Sequence, residues 1–349
     1  MPSSSFWVET EDWHTAGEPF RIVDKLPEHC ILPEAPTVAQ RRFDIIATPN
    51  HPLDQLRQSL CHEPRGHADM YGGFITPPDD AGAAFGVLFW HKDGFSTACG
   101  HGTIALGYWA VEKGLFGSPK DGTLDVVIDV PSGRVVASMT IAQGRPIHGD
   151  FINVTSYQLA RALPVTIPSR GVEVSVDLTF GGAVYATLDA AQVGLKVRPG
   201  EVDEFIRLGR EIKASLGERA HYGTYDCYGV IFFEEGPEER ANGHEPTITQ
   251  RNVTVFADGQ IDRSPCGSGT CARLAVLHAQ GRLGPKRSKL RHQSIIGSSF
   301  EADIVSEVES PVEGFPACVP RVRSEARLCG RMSFFIDPSE DVYPGFLLR

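Results

Sequence analysis

CGHGTIALGYWAVEKGLFG fills residues 99–117, and CGSGTCARLAVLHAQGRLG fills residues 266–284. The two runs align without a gap at an offset of 266 − 99 = 167, and seven of their nineteen positions agree. Both open on Cys-Gly-x-Gly-Thr, and Gly114 and Gly117 match Gly281 and Gly284 at the far end. Nearby landmarks keep almost the same spacing. Gly94 of GVLFWHKDG and Gly259 of NVTVFADGQ stand 259 − 94 = 165 apart, and Thr15 and Gly17 precede Thr179 and Gly181 by 164. Small loop insertions produce such a drift, so the chain reads as an internal duplication of about 165 residues.

Outward from the paired motifs, each half repeats one order of elements. An apolar strand runs into each cysteine, AFGVLFW in the first half and NVTVFA in the second. The apolar stretch after each cysteine ends on a glycine, which predicts a helix with a glycine stop. Alternating strands follow: LDVVIDV, GRVVASM and later SFEADIV. Earlier in each half stands a short strand, Phe20 to Val23 or Val172 to Leu178, and then a segment with helical spacing. In the first of these segments Pro49 and Pro52 predict a helix that starts only after Pro52. EVDEFIRLGREIKASL is its counterpart. The expected fold is α/β (α+β): two pseudo-symmetric domains, each a sheet wrapped around a central helix. Residues 1–150 form the first, joined by the C-terminal segment 338–349, and 151–337 form the second. The linker is expected near Pro146 to Asn153, and ERANGHEPT is expected as a polar loop inserted in the second.

Composition narrows the function. A chain of 349 residues with 41% hydrophobic residues is long enough for two cores without disulfide staples. A formal charge of −11 repels phosphate backbones and argues against nucleic acid. The one basic cluster, Lys286, Arg287, Lys289 and Arg291, reads as a solvated loop or helix start. The opening MPSSSFWVETEDWH has neither the basic nor the apolar region of a secretory signal, and no apolar run is long enough for a membrane span. Eight scattered cysteines without CxxC spacing fit reduced thiols, a cytoplasmic location and no zinc site.

A cysteine at a strand-to-helix junction has particular chemistry. The first amides of a helix lack intrahelical acceptors and, with the helix dipole, bind anions. The same field favours thiolate. Bare glycines let a ligand approach the backbone. Two such motifs facing one small amino or hydroxy acid place a sulfur on each side of its α-carbon. One sulfur removes the α-proton and the other returns a proton to the opposite face, without a cofactor or metal. Cys99 and Cys266 are therefore the candidate acid/base pair, and the other six cysteines read as small core residues. A rival reading exists: both runs also fit G-x-G-x-x-A, the fingerprint of a nucleotide-binding oxidoreductase. The first copy has Asp121 near the acidic position that this fingerprint wants, but the second runs into KRSKLRHQ.

The stretches WHTAGEPFRIV, EPRGHADMYGGF, ACGHGTIALG, GGAVYATL, VFADGQIDRSPCGSGT and GFLLR together resemble the proline racemase family. That family includes hydroxyproline 2-epimerases and trans-3-hydroxy-L-proline dehydratases. The resemblance implies a diaminopimelate epimerase-like fold and Cys99 and Cys266 as the acid/base groups. It implies a substrate carboxylate on the amides of Gly100, His101, Gly267 and Ser268, and Asp262 as acceptor for the ring ammonium. His67 and Asp69 are expected to line the pocket. The expected partner is a small imino acid, proline or a hydroxyproline; a homodimer is entertained, although no residue decides it. Racemases and epimerases of the family resemble Cys plus Cys, and dehydratases Cys plus Thr, so Cys266 makes inversion the leading reading. Ser268 and Cys271, where CGTGTSA is usual, and the wider likeness to the dehydratase branch keep dehydration as the alternative. A non-catalytic binding module is a third class, which two intact thiols disfavour.

Overall fold

The computed structural model describes residues 4–237, 247–285 and 288–348. The expected insertion ERANGHEPT lies outside the described residues up to its last residue, Thr247, as do Lys286 and Arg287 of the basic cluster. Lys289 and Arg291 lie on strand Lys289–Gln293 rather than in a loop or at a helix start.

The chain divides into two units. Residues 1–149 with 325–349 form one, and 150–324 the other. The return to the first unit begins at Glu325 instead of the expected 338, because strand Ala326–Ile336 pairs along its length with Phe6–Thr15. The expected linker is itself part of a strand, Arg145–Ile152, and the chain passes from one unit to the other within it.

In the first unit, Phe6–Thr15 pairs antiparallel with both Ala326–Ile336 and Glu18–Val23. Glu18–Val23 then pairs parallel with Tyr71–Thr76, and Tyr71–Thr76 antiparallel with Phe85–His91. Phe85–His91 lies parallel to Gly122–Val130, which pairs antiparallel with Gly133–Ala142. Two outer helices, α1 (Val38–Ala47) and α2 (Pro52–Cys61), flank this sheet. Helix α1 corrects the expectation that nothing helical precedes Pro52. Thr37 caps it by accepting from the Gln40 amide at 3.1 Å, and the prolines separate two helices instead of delaying one. Pro52 occupies the first turn of α2, where its missing N–H costs nothing. The buried pair Arg21–Asp12 (2.7 Å) ties the sheet to α2, since Arg21 also donates to the Leu60 carbonyl at 2.6 Å.

Helix α3 (Gly100–Glu112) is buried on every side from Gly100 to Val111. A helix without a polar face must lie inside its domain, and α3 is the crossover between the parallel strands Phe85–His91 and Gly122–Val130. Its end is a Schellman turn: Gly114, at φ 74°, donates to Val111 O at 3.0 Å and Leu115 donates to Ala110 O at 3.1 Å.

The second unit carries an outer helix, α4 (Val202–Leu216), and a buried one, α5 (Gly267–Ala279). Helix α5 is the crossover between the parallel strands Thr247–Phe256 and Lys289–Gln293. It closes with the same turn: Gly281, at φ 70°, donates to His278 O at 2.9 Å and Arg282 donates to Leu277 O at 2.9 Å. The ladder runs from Ser156–Ile167 through Val172–Phe180, Val184–Asp189, Cys227–Glu235, Thr247–Phe256, Lys289–Gln293 and Ser299–Val308 to Ala317–Ser324. Ala317 then pairs with Tyr157, so the ladder returns to its first strand. Among the described residues no helix is long and apolar enough to cross a membrane, and no group of three or more His, Cys, Asp or Glu side chains could hold a metal ion.

Two basic side chains, Arg273 and His292, are sealed in the second unit. Arg273 of α5 is 1% exposed; it donates to Gln250 Oε1 and Thr187 Oγ1 and stacks 3.7 Å above the Phe233 ring. Burial pushes its pKa down to about 10. His292 is fully buried, and desolvation, aided by Arg273, lowers its pKa to about 3. The unfolded chain takes a proton at His292 below its ordinary pKa of 6.5, whereas the native chain does so only near 3. The stability from neutral His292 is thus complete above pH 6.5 and is lost as pH falls toward 3. Urea unfolding at pH 7 and pH 5 should show the wild type losing about 2 kcal/mol more than His292→Gln over that interval. Equal losses in the two proteins would contradict this.

Candidate active site

In the first unit the strand Gly94–Phe95 leads to Cys99, the cap of α3. Cys99 has ordinary extended backbone, φ −154° and ψ 99°, and its Sγ accepts from the Gly102 amide at 3.2 Å. A Cβ on Gly102 would stand 2.7 Å from that sulfur and 2.5 Å from the Phe20 ring, so only glycine leaves room for the thiol. His101 folds back over the sulfur, with Nδ1 at 3.5 Å and Nε2 at 3.6 Å. The edge-on rings of Tyr71 (5.1 Å) and Phe20 (5.9 Å) hold the imidazole. Thr15 Oγ1 donates to His101 O at 2.8 Å, and Thr103 Oγ1 to Cys99 O at 2.8 Å. The helix begins at Gly100, so the amides of Gly100 and His101 have no acceptor within it.

His67 and Asp69 stand in the turn before strand Tyr71–Thr76, where His67 Nδ1 accepts from the Asp69 amide at 3.2 Å. Tyr71, two residues beyond Asp69, carries this segment to His101.

In the second unit a two-residue strand, Gln260–Ile261, leads into Asp262, whose amide donates to Thr254 O at 3.1 Å. The Asp262 carboxylate, 3% exposed, accepts from the Ser264 amide at 2.8 Å and the Ser264 hydroxyl at 2.7 Å. Burial raises its pKa against those donors and Arg263. Cys266 caps α5 in a backbone conformation that side chains rarely adopt, φ 66° and ψ 111°. Its thiol pKa lies well above the usual range, chiefly from burial and then from the Asp262 charge; the Gly269 amide and the Tyr185 hydroxyl pull the other way. A Cβ on Gly269 would fall 2.9 Å from Cys266 Sγ, the same exclusion as at Gly102. Tyr185 Oη lies 2.7 Å from Ser268 Oγ and 3.8 Å from Cys266 Sγ. Gly181, in the corner before Tyr185, lets that corner reach the helix, because a Cβ there would meet Ser268 O at 2.6 Å. Gly267 and Ser268 are the first two residues of α5, with amides that likewise have no acceptor within it.

Each unit thus collects its own predicted residues: Cys99, Gly100 and His101 in one, and Asp262, Cys266, Gly267 and Ser268 in the other. Sequence reasoning did not single out Tyr71, Tyr185 or Ser264. The two tyrosines sit in apolar runs and read as core. Ser264 carried a legible signal, since Asp-x-Ser is a side-chain turn pattern. Asp121, the residue wanted by the nucleotide reading, serves a surface turn by accepting from the Gly144 amide at 3.2 Å. Two cavities lie away from the cysteines. One of about 770 Å³, lined by Trp13, Tyr108 and Arg145, is at the far end of α3, and one of about 690 Å³, lined by His278 and Glu307, is at the far end of α5.

A family model described as proline racemase matches residues 11–347. A trans-3-hydroxy-L-proline dehydratase of Bacillus cereus is 40% identical over 350 residues, spanning 97% of each chain. A 3-hydroxyproline 2-epimerase of Burkholderia multivorans is 37% identical and spans 98% of each. The crystal structure of a hydroxyproline epimerase from Agrobacterium vitis, with trans-4-hydroxy-L-proline bound, matches with a TM-score of 0.85 at 25% identity, covering 98% of this chain and 96% of that one. With the family match running almost from end to end, this chain belongs to the proline racemase family.

Proposed function

We propose that the protein inverts the α-carbon of a hydroxyproline or of proline, with Cys99 and Cys266 as the two acid/base groups and no cofactor. One observation carries this reading: each buried helix opens with a cysteine whose sulfur stands beside the amide hydrogens of the first turn. The substrate carboxylate binds the amides of Gly100, His101, Gly267 and Ser268, and Asp262 takes the ring ammonium. As the α-proton leaves, charge moves into the carboxylate and those amide hydrogen bonds strengthen. Donors of this kind contribute most when aimed where charge develops.

The two sulfurs differ at rest. Burial and Asp262 hold Cys266 as the thiol, so it is the proton donor in the resting enzyme. Cys99, against the His101 ring, is the base for the epimer that binds this form. After one turnover the roles are exchanged, and the enzyme accepts the other epimer. His67 and Asp69 line the pocket that receives the substrate. Eight free thiols suit a reducing, cytoplasmic setting.

Dehydration of trans-3-hydroxy-L-proline is the second reading, favoured by the relative of that name at 40% identity. It shares the α-proton abstraction but ends with loss of the 3-hydroxyl in place of reprotonation.

Incubation in D₂O with trans-4-hydroxy-L-proline and with L-proline should give α-deuterium incorporation together with a change of optical rotation. Exchange without rotation change would leave one-base chemistry only. Trans-3-hydroxy-L-proline, coupled to an imine reductase, decides the second reading by NAD(P)H consumption, and an absence of cyclic imine removes it. Cys99→Ser and Cys266→Ser should each lower kcat for inversion by about 10³-fold or more, since a serine hydroxyl is far less acidic than a thiol. A loss of only two- or threefold, roughly, in either would overturn its assignment as acid/base group.

A further inference from the structure

The fifth residue of the repeated motif, threonine, has no part in the proton transfers. Its surroundings assign it one. In the first unit Thr103 holds the carbonyl of a cysteine with relaxed backbone. In the second, Thr270 reaches one residue further back. The peptide group between Pro265 and Cys266 is gripped at both ends. Its oxygen accepts from Asn252 Nδ2 at 3.1 Å and from Thr270 Oγ1 at 3.2 Å. Its N–H donates to Ser264 Oγ at 3.0 Å, and that hydroxyl donates onward to Asp262. Asn252, Ser264, Thr270 and His292 are all 0% exposed.

Thr270 has one hydroxyl hydrogen, and Pro265 O lies within its reach. The 2.9 Å contact between Thr270 Oγ1 and His292 Nδ1 holds the hydroxyl from the other side; with the hydroxyl hydrogen on Pro265 O, the ring nitrogen is the donor. Among the described residues His292 Nε2 has no partner. Asn252 Nδ2 also donates to Gln293 O at 3.2 Å, which ties the grip to the strand that carries His292. A peptide plane held at its oxygen and its nitrogen cannot turn, and φ of Cys266 is the torsion next to it. Backbone held at positive φ on a non-glycine residue persists only where its surroundings over-determine it, and here four buried side chains do so.

We propose that Thr270, backed by His292 and assisted by Asn252 and Ser264, is a positioning residue that holds Cys266 at φ 66° and thereby aims its sulfur. The inference rests on Cys266 being an acid/base group; the clamp itself does not. Removing the hydroxyl leaves the Pro265 carbonyl held by Asn252 alone, and Cys266 relaxes to negative φ with its sulfur displaced from the Gly269 amide.

The test compares Thr270→Val and Thr270→Ser with the wild type, by crystal structure and by steady-state kinetics on trans-4-hydroxy-L-proline and trans-3-hydroxy-L-proline. Thr270→Val should show Cys266 at negative φ and a kcat about 100-fold lower with KM nearly unchanged, as expected for a misplaced reacting atom. Thr270→Ser should keep positive φ and recover kcat to within about fivefold, because it restores the donor. If Thr270→Val fails to fold, Ser264→Ala, which leaves the Cys266 N–H without its acceptor, carries the same comparison. Unchanged φ in the variant, or changed φ with undiminished kcat, overturns the proposal. Should Cys266→Ser retain full activity, the acid/base reading falls, while the φ of the Thr270→Val protein still decides whether the clamp exists.

Discussion

A sulfur atom occupies the space where the third residue of each buried helix would carry its Cβ. This exclusion, at 2.7 Å for Gly102 and 2.9 Å for Gly269, sets most of the local design. The sulfur must cap a helix only a few residues after a strand has ended, so the chain turns between the two. The helix must be apolar all round, since the sheet covers it. Its far end must stop abruptly, which Gly114 and Gly281 accomplish at positive φ. A helix built that way has no polar face, and its unpaired amide hydrogens lie in its first turn.

The same plan is executed with different neighbours. Cys99 has unstrained backbone, an imidazole over its sulfur and a direct bond from the third amide. Cys266 has strained backbone, a phenol and a buried carboxylate nearby, and a thiol held strongly protonated. The two sulfurs thus meet different electrostatics within one repeated plan. Under the inversion proposed above, that difference gives the two groups distinct starting roles.

Much of this was written locally in the sequence. Glycine stops, the run-in strands and the cysteine junctions depend on residues within a turn or two of each other, so spacing reveals them. Helix α1 is masked in the sequence because Pro49 and Pro52 dominate its surroundings, although Thr37 and the helical spacing of the buried Val38, Arg41 and Ile45 mark one face. Strand Ala326–Ile336 was missed because its solvent-facing alternation resembles a tail, and its partner stands at the other end of the chain. Tyr185 and the clamp on Pro265 could not be read at all: Asn252, Thr270 and His292 meet only after three elements have packed. Buried hydrogen bonds of this kind leave no periodic trace.

The pairing of Phe6 with Ile336 joins residues 330 positions apart (336 − 6 = 330). The first unit therefore receives strand Ala326–Ile336 only after residues 150–324 have been made. Residues 150–324 are contiguous and close their ladder without help from either terminus. On the ribosome the second unit can finish folding while the first still shows an uncovered strand, Phe6–Thr15. Tolerance of deletion is correspondingly lopsided: loss of residues 326–349 removes a partner of strand Phe6–Thr15 and leaves residues 150–324 whole.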